Sequence, residues 1–238
     1  MGSTTPLPYW QVNVPPSQRE ATCPPFLANL SAKDLAIIST LDASYRTITW
    51  PEVRQIIAEN RIDTFQRVPS DLRRYLAYNW MLKKEYGSIM EFVLSQRLGW
   101  KEPIRAEGKP FEKDSDIKIL FNDWPYGIDK KIVHLVIWTK FELEDDPLTD
   151  DLTAKARKEI DDFVDEMFGR KVGRDNVSHV INIISFLMLI ISQVIWFKNW
   201  RSLKSVHAVE HFHVMLYDAD PAFVEEITNG DVPLSQKV

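Results

Sequence analysis

The side-chain periodicity of this chain changes near residue 116, and that change constrains its fold more than any other feature. Before it, the signals are helical. Ser31 can cap a short helix over 32–39. Thr49-Trp50-Pro51-Glu52 is a capping box with proline in the first turn, and it predicts a helix to about Asn60. Ser70 is expected to cap Asp71 to Glu85, where Leu72, Tyr75, Leu76, Asn79 and Leu82 recur at helical spacing. Ser88-x-x-Glu91 opens another helix, ending near Leu98-Gly99. After residue 116, β-branched and aromatic runs take over. Ile117–Phe121, Ile132–Phe141, Val194–Phe197 and Val209–Tyr217 read as strands. Thr153–Phe168 reads as an amphipathic helix, and Asp220-Pro221 starts a last one to Thr228. The order is a helical layer followed by β-β-α-β-β-α. The expected class is α+β: a helical N-terminal layer, then an antiparallel sheet with flanking helices. Residues 1–30 read as a proline-rich arm, 31–100 as a helical region and 101–238 as the α+β region, together one compact unit. The histidine strand should pair antiparallel with 194–199 in a sheet that also holds 132–141.

Composition narrows the partners. With 238 residues the chain can bury a sizeable core, and a net charge of −5 argues against a nucleic-acid backbone or an anionic membrane as partner. One cysteine, Cys23, rules out an internal disulfide and points to a reducing compartment. Met1 to Pro8 lacks a basic-then-apolar pattern, so no signal peptide is expected and the cytoplasm is the expected location. The oligomeric state is not readable.

The candidate chemistry sits in Val209–Leu216, VEHFHVML. Alternation puts His211 and His213 on one strand face, with Phe212 and Val214 on the other. Two such imidazoles can bind a metal, hold a phosphate, or act as a nucleophile and its orienting partner. His207 or His134 could complete a three-histidine metal site, but the reading assigns no metal and no cofactor. The basic residues of the helical half (Arg67, Arg73, Arg74, Lys83, Lys84) read as a solvated helix surface. His134 reads as a satisfied sheet histidine, and Asp123 as part of a turn.

Two resemblances carry further implications. The stretches WPEVRQII, RVPSDLRRYLAYNW, NDWPYGID and FKNWRSLKSVHAVEHFHVML are similar to those of a family of uncharacterised fungal proteins known as N-acetylglucosamine-induced protein. That name implies a response to an amino sugar and no particular reaction. The C-terminal half resembles the histidine-triad superfamily of nucleotide hydrolases and transferases. The resemblance rests on HLVIWTK, on Leu152-Thr153 opening a helix, on Asn199 after a strand, and on Ser205-Val206 followed by His211-Phe212-His213-Val214-Met215-Leu216. It implies that His213 attacks the α-phosphate and that His211 orients it. Lys140, Asn199, Ser205 and His207 are the donor candidates for the substrate, a nucleotide or sugar nucleotide. The third position of the motif is Met215, which cannot donate to a phosphate oxygen. The alternative is a catalytically silent regulator that binds a phosphorylated sugar, a nucleotide or a protein.

One stretch stands apart. Val177 to Phe197 carries no charged side chain and meets the simplest membrane-span criterion. Three readings exist: a single-pass span through 177–197, a native insertion, or translated intron over 177–193. The intron reading is favoured. Val177-Ser178 can be encoded by GTNAGY, Gln193 by CAG, and Leu189-Ile190 by a branch-point sequence.

Overall fold

A computed structural model describes residues 6–149, 151–169, 193–199 and 209–238. Four strands form one antiparallel sheet in the order β1-β2-β4-β3. They are β1 (Ile117–Phe121), β2 (Ile132–Thr139), β3 (Val194–Phe197) and β4 (Glu210–Tyr217). The histidine strand β4 pairs antiparallel with β3 in the sheet that holds β2, as its sequence predicts, and it also pairs antiparallel with β2 on its other side. β2 is shorter than expected. After Thr139 the Lys140 N–H turns to the Asp116 carbonyl at 2.9 Å.

The sheet is covered on both faces. Leu135, Ile137, Phe212, Val214 and Leu216 pack against α5 (Ala154–Val164) and α6 (Pro221–Thr228) through Ile160, Phe163, Phe223 and Val224. Phe212 is fully buried, which stabilises the fold by roughly 1.5–3 kcal/mol relative to exposure. The opposite face carries the histidines and meets the helical half. α2 (Trp50–Ala58) brings Trp50 and Val53 onto Phe197 and Met215. α3 (Pro69–Tyr86) and α4 (Ile89–Phe92) bring Leu82 and Phe92 onto Leu120 and Val209.

Local chemistry accounts for the helix ends. Ser31 caps α1 (Ala32–Ile38), and Ser88 caps α4 by accepting from Glu91 N–H. Thr49 and Glu52 form the capping box of α2. α3 begins earlier than its serine suggests. Val68 is the N-cap and Pro69, whose missing N–H costs nothing there, fills the first turn. The Ser70 N–H donates to Asp42 Oδ1 at 3.0 Å instead. α4 continues as a wider π-type turn, Val93–Leu98, which ends at Gly99 in the left-handed region. The arm is tied down as well: Leu27 is fully buried, and Arg73 Nη1 donates to the Trp10 carbonyl at 2.6 Å.

Among the described residues, no helix is long and apolar enough to cross a membrane. The stretch 177–192 lies outside the described residues, so the span, insertion and intron readings fall there untested. Ser205 and His207 lie outside them too.

Candidate functional site

Strand register assembles the histidines. On β2 and β4, Trp138 lies opposite His211, Val136 opposite His213, and His134 opposite Met215. Phe197 of β3 lies opposite His213 on the other side and stacks on its ring at 4.8 Å. His134 Nε2 and His213 Nδ1 are 3.0 Å apart. Asn199, two residues beyond β3, donates its Nδ2 to His213 Nε2 at 3.1 Å. Both ring nitrogens of His213 are therefore engaged. With Nε2 accepting, the Nδ1–H of His213 donates to His134 Nε2.

Both of these imidazoles are buried and neutral near pH 7. Burial, then the Arg67 charge, lowers His134 to about 3. Burial lowers His213 well below the usual histidine value, helped by His134, His211 and Arg67.

His211 is fixed differently. Its Nδ1 is 3.0 Å from the carbonyl oxygen of Val209. A carbonyl only accepts, so Nδ1 carries a proton and donates it. The Trp138 ring lies 4.5 Å away and holds the imidazole plane.

His211, His213, Asn199 and Trp138 line a cavity of about 200 Å³ between the histidine face of the sheet and α3–α4. Its floor is an ion cluster. Arg97 donates from Nη1 and Nη2 to Asp231 at 2.8 and 2.9 Å, and from Nε to Asp123 at 3.0 Å. Burial raises the Asp123 pKa, and Arg97 opposes that rise. Asp123 also accepts from Leu234 N–H at 3.0 Å, which draws Leu234 onto the cavity.

Arg67 lines the other end. Its Nε donates to the Trp124 carbonyl at 2.9 Å, and its guanidinium lies 4.1 Å from the Tyr75 ring centroid and 5.5 Å from that of Tyr126. Trp124 is 5% exposed, and its Nε1 is a buried donor with no hydrogen-bond partner among the described residues.

Of the residues predicted from sequence, His211, His213 and Asn199 meet in this cavity. Lys140 does not. It sits 3.7 Å from both Asp116 and Glu107, where it neutralises the buried Asp116. Met215 is fully buried among Trp50, Val53 and Phe197, so the third motif position faces apolar packing rather than the cavity. Arg67 is not a freely solvated helix charge, and His134 and Asp123 are parts of the site's framework. Among the described residues, no group of three or more histidine, cysteine, aspartate or glutamate side chains is arranged to hold a metal ion.

Residues 49–217 match the family described as "Protein of unknown function (DUF3605)". The chain is 29% identical over 201 residues to N-acetylglucosamine-induced protein 1 of Candida albicans, covering 76% of this chain and 73% of that protein. It is 26% identical over 174 residues to an uncharacterised protein of Saccharomyces cerevisiae, covering 71% of this chain and 78% of that protein. The crystal structure of HTC1 superposes with a TM-score of 0.52 at 20% identity, covering 76% of this chain and 96% of that one. That likeness speaks to the fold alone.

Proposed function

The chain belongs to this family of unknown function, which brings no reaction with it, and we propose that it is a histidine-triad-like hydrolase or transferase acting at phosphorus on a nucleotide or sugar nucleotide. The single observation that carries this reading is that His211, His213 and Asn199 converge on one cavity. In this reading His211, rather than His213, is the nucleophile, because His134 and Asn199 engage both ring nitrogens of His213. Its Nε2 attacks phosphorus, a P–N bond forms, and the P–O bond to the leaving group breaks with its electron pair. The leaving oxygen departs as an anion and takes a proton from solvent; water or a second phosphate then attacks phosphorus, and the P–N bond breaks with its electron pair returning to His211 Nε2. His213 stays neutral and holds the Asn199 amide at the cavity through its Nε2.

His134 supports this reading. It stands across the strand from Met215 and bonds His213, so a third imidazole joins the pair from the neighbouring strand. The name of the Candida relative links the proposed activity to amino sugars, and so favours a sugar nucleotide.

Turnover of nucleoside phosphoramidates, dinucleoside polyphosphates and UDP-sugars at high protein concentration tests the reading. His211→Ala should abolish turnover, since no other nucleophile replaces it. His213→Ala should slow it by less, because His213 acts only by holding the Asn199 amide. The reverse order would restore His213 as the nucleophile. Binding without turnover that survives both changes would favour the silent regulator.

A further inference from the structure

We propose that Arg67 and Trp124 form an anion subsite in this cavity for the phosphate of a monosaccharide phosphate ester. The proposal deepens the reading above, since such an ester is one half of a sugar nucleotide, but its test measures binding alone.

Charge identifies the kind of ligand. Two arginines line the cavity. Arg97 is neutralised by Asp123 and Asp231. Arg67 has no carboxylate partner among the described residues, and its one hydrogen bond there uses Nε. The two terminal nitrogens of its fork are left to pair with something else. A planar guanidinium with its Nε fixed and its face on Tyr75 offers the paired N–H geometry that a phosphate accepts.

Trp124 is an independent observation. A buried indole N–H without an acceptor is a rare defect in a folded protein. This one belongs to Trp124, a residue that lines the cavity Arg67 also lines. Both groups are donors only, so the ligand atoms they seek are acceptors.

Size and lining restrict the rest of the ligand. The volume of about 200 Å³ lies below the roughly 300–1,000 Å³ of sites for drug-sized molecules. Asn79 lines the wall, and an amide that both donates and accepts matches sugar hydroxyls. The faces of Tyr78 and Trp138 suit the C–H faces of a sugar ring.

The test is calorimetric titration of the full chain with glucose 1-phosphate, glucose, glucuronate and inorganic phosphate. Glucose 1-phosphate should bind, and glucose should bind about 10- to 100-fold more weakly, the value of a charged hydrogen-bonded contact. Arg67→Gln should cost the same factor for the ester and leave glucose unchanged. Arg67→Lys should recover part of the loss, because it keeps the charge without the planar fork. Trp124→Phe removes only the indole N–H and should weaken the ester by several-fold. If Arg67→Gln fails to fold, the lysine and phenylalanine variants decide.

Equal affinity for the ester and glucose would overturn the proposal. So would stronger binding of glucuronate, which would mark a carboxylate site. An ester affinity unchanged in both Arg67→Lys and Trp124→Phe, or no binding by any probe, would overturn it as well. Arg67-dependent binding in a protein that forms no histidine adduct would uphold the subsite and remove the transfer reading. Adduct formation indifferent to Arg67 would do the opposite.

Discussion

His134 Nε2 lies 3.0 Å from His213 Nδ1, so β2 supplies next to His213 an imidazole that β4 lacks at position 215. The two rings share one hydrogen bond inside the protein. Neither can take up a proton without charging a buried site.

Stability should therefore fall in acid through these two groups. Both have folded pKa values below the unfolded one, 6.5, with His134 at about 3. Below pH 6.5 the unfolded chain binds protons that the folded chain does not, so unfolding becomes more favourable as pH falls. Their contribution is fully present above pH 6.5 and is lost as pH falls from 6.5 towards 3. The slope is up to about 1.4 kcal/mol per pH unit for each group. Urea unfolding at pH 7, 6 and 5 should show it, and His134→Gln should lower proton uptake on unfolding at pH 5 by about one. An acid limb identical in wild type and variant would contradict this account.

Met215→His would restore the sequence motif, and the sequence alone predicts a gain of activity from it. The fold predicts a loss of stability. Met215 is fully buried against Trp50, Val53 and Phe197. An imidazole there would lack acceptors and cost roughly 1–3 kcal/mol. The melting temperature of the variant, read beside its turnover, decides between the two expectations.

Arg97→Ala should be among the most damaging single changes. It leaves Asp231, whose side chain is 7% exposed, and Asp123 without their cation. Breaking a buried pair in this way typically costs about 3–5 kcal/mol. Denaturant unfolding would measure it, and a loss under 1 kcal/mol would show that water already solvates the cluster.

Gly127→Ala should also destabilise, for a local reason. A Cβ at Gly127 would lie 2.3 Å from Tyr45 Oη. That hydroxyl donates to the carbonyls of Gln66 and Gly127 and ties the start of α3 to the NDWPYGID turn. Displacing the ring should cost about 1–3 kcal/mol and shift the neighbouring Tyr126. Thermal melts and tyrosine fluorescence check both effects.

The sheet was legible because its strands alternate. His211 and His213 share a parity with Met215, and Phe212 and Val214 take the other, so one face had to be apolar. Helix starts were legible where a side chain caps its own helix, as at Ser31 and Ser88. They were displaced at Ser70, where the acceptor, Asp42, comes from elsewhere in the chain. Arg67 was not legible as a cavity residue. Its surroundings, Tyr75, Tyr126 and the Trp124 carbonyl, come from separate elements, and no local pattern records them. The histidine-triad resemblance offered Lys140 as a donor, while its place at a strand end also fitted a solvated edge charge. Its partner, Asp116, is fully buried and claims its charge. The roles of the two histidines were unreadable for a similar reason: what separates them is the Val209 carbonyl at one ring and His134 and Asn199 at the other.

The central claim is that His211 attacks phosphorus through Nε2. The most direct measurement is intact-protein and peptide mass spectrometry after rapid mixing with a sugar nucleotide and quenching at alkaline pH, where phosphoramidate bonds survive. The account predicts a nucleotidyl or phosphoryl adduct on the peptide containing 209–217, present in His213→Ala and absent in His211→Ala. An adduct that persists in His211→Ala and vanishes in His213→Ala would contradict it.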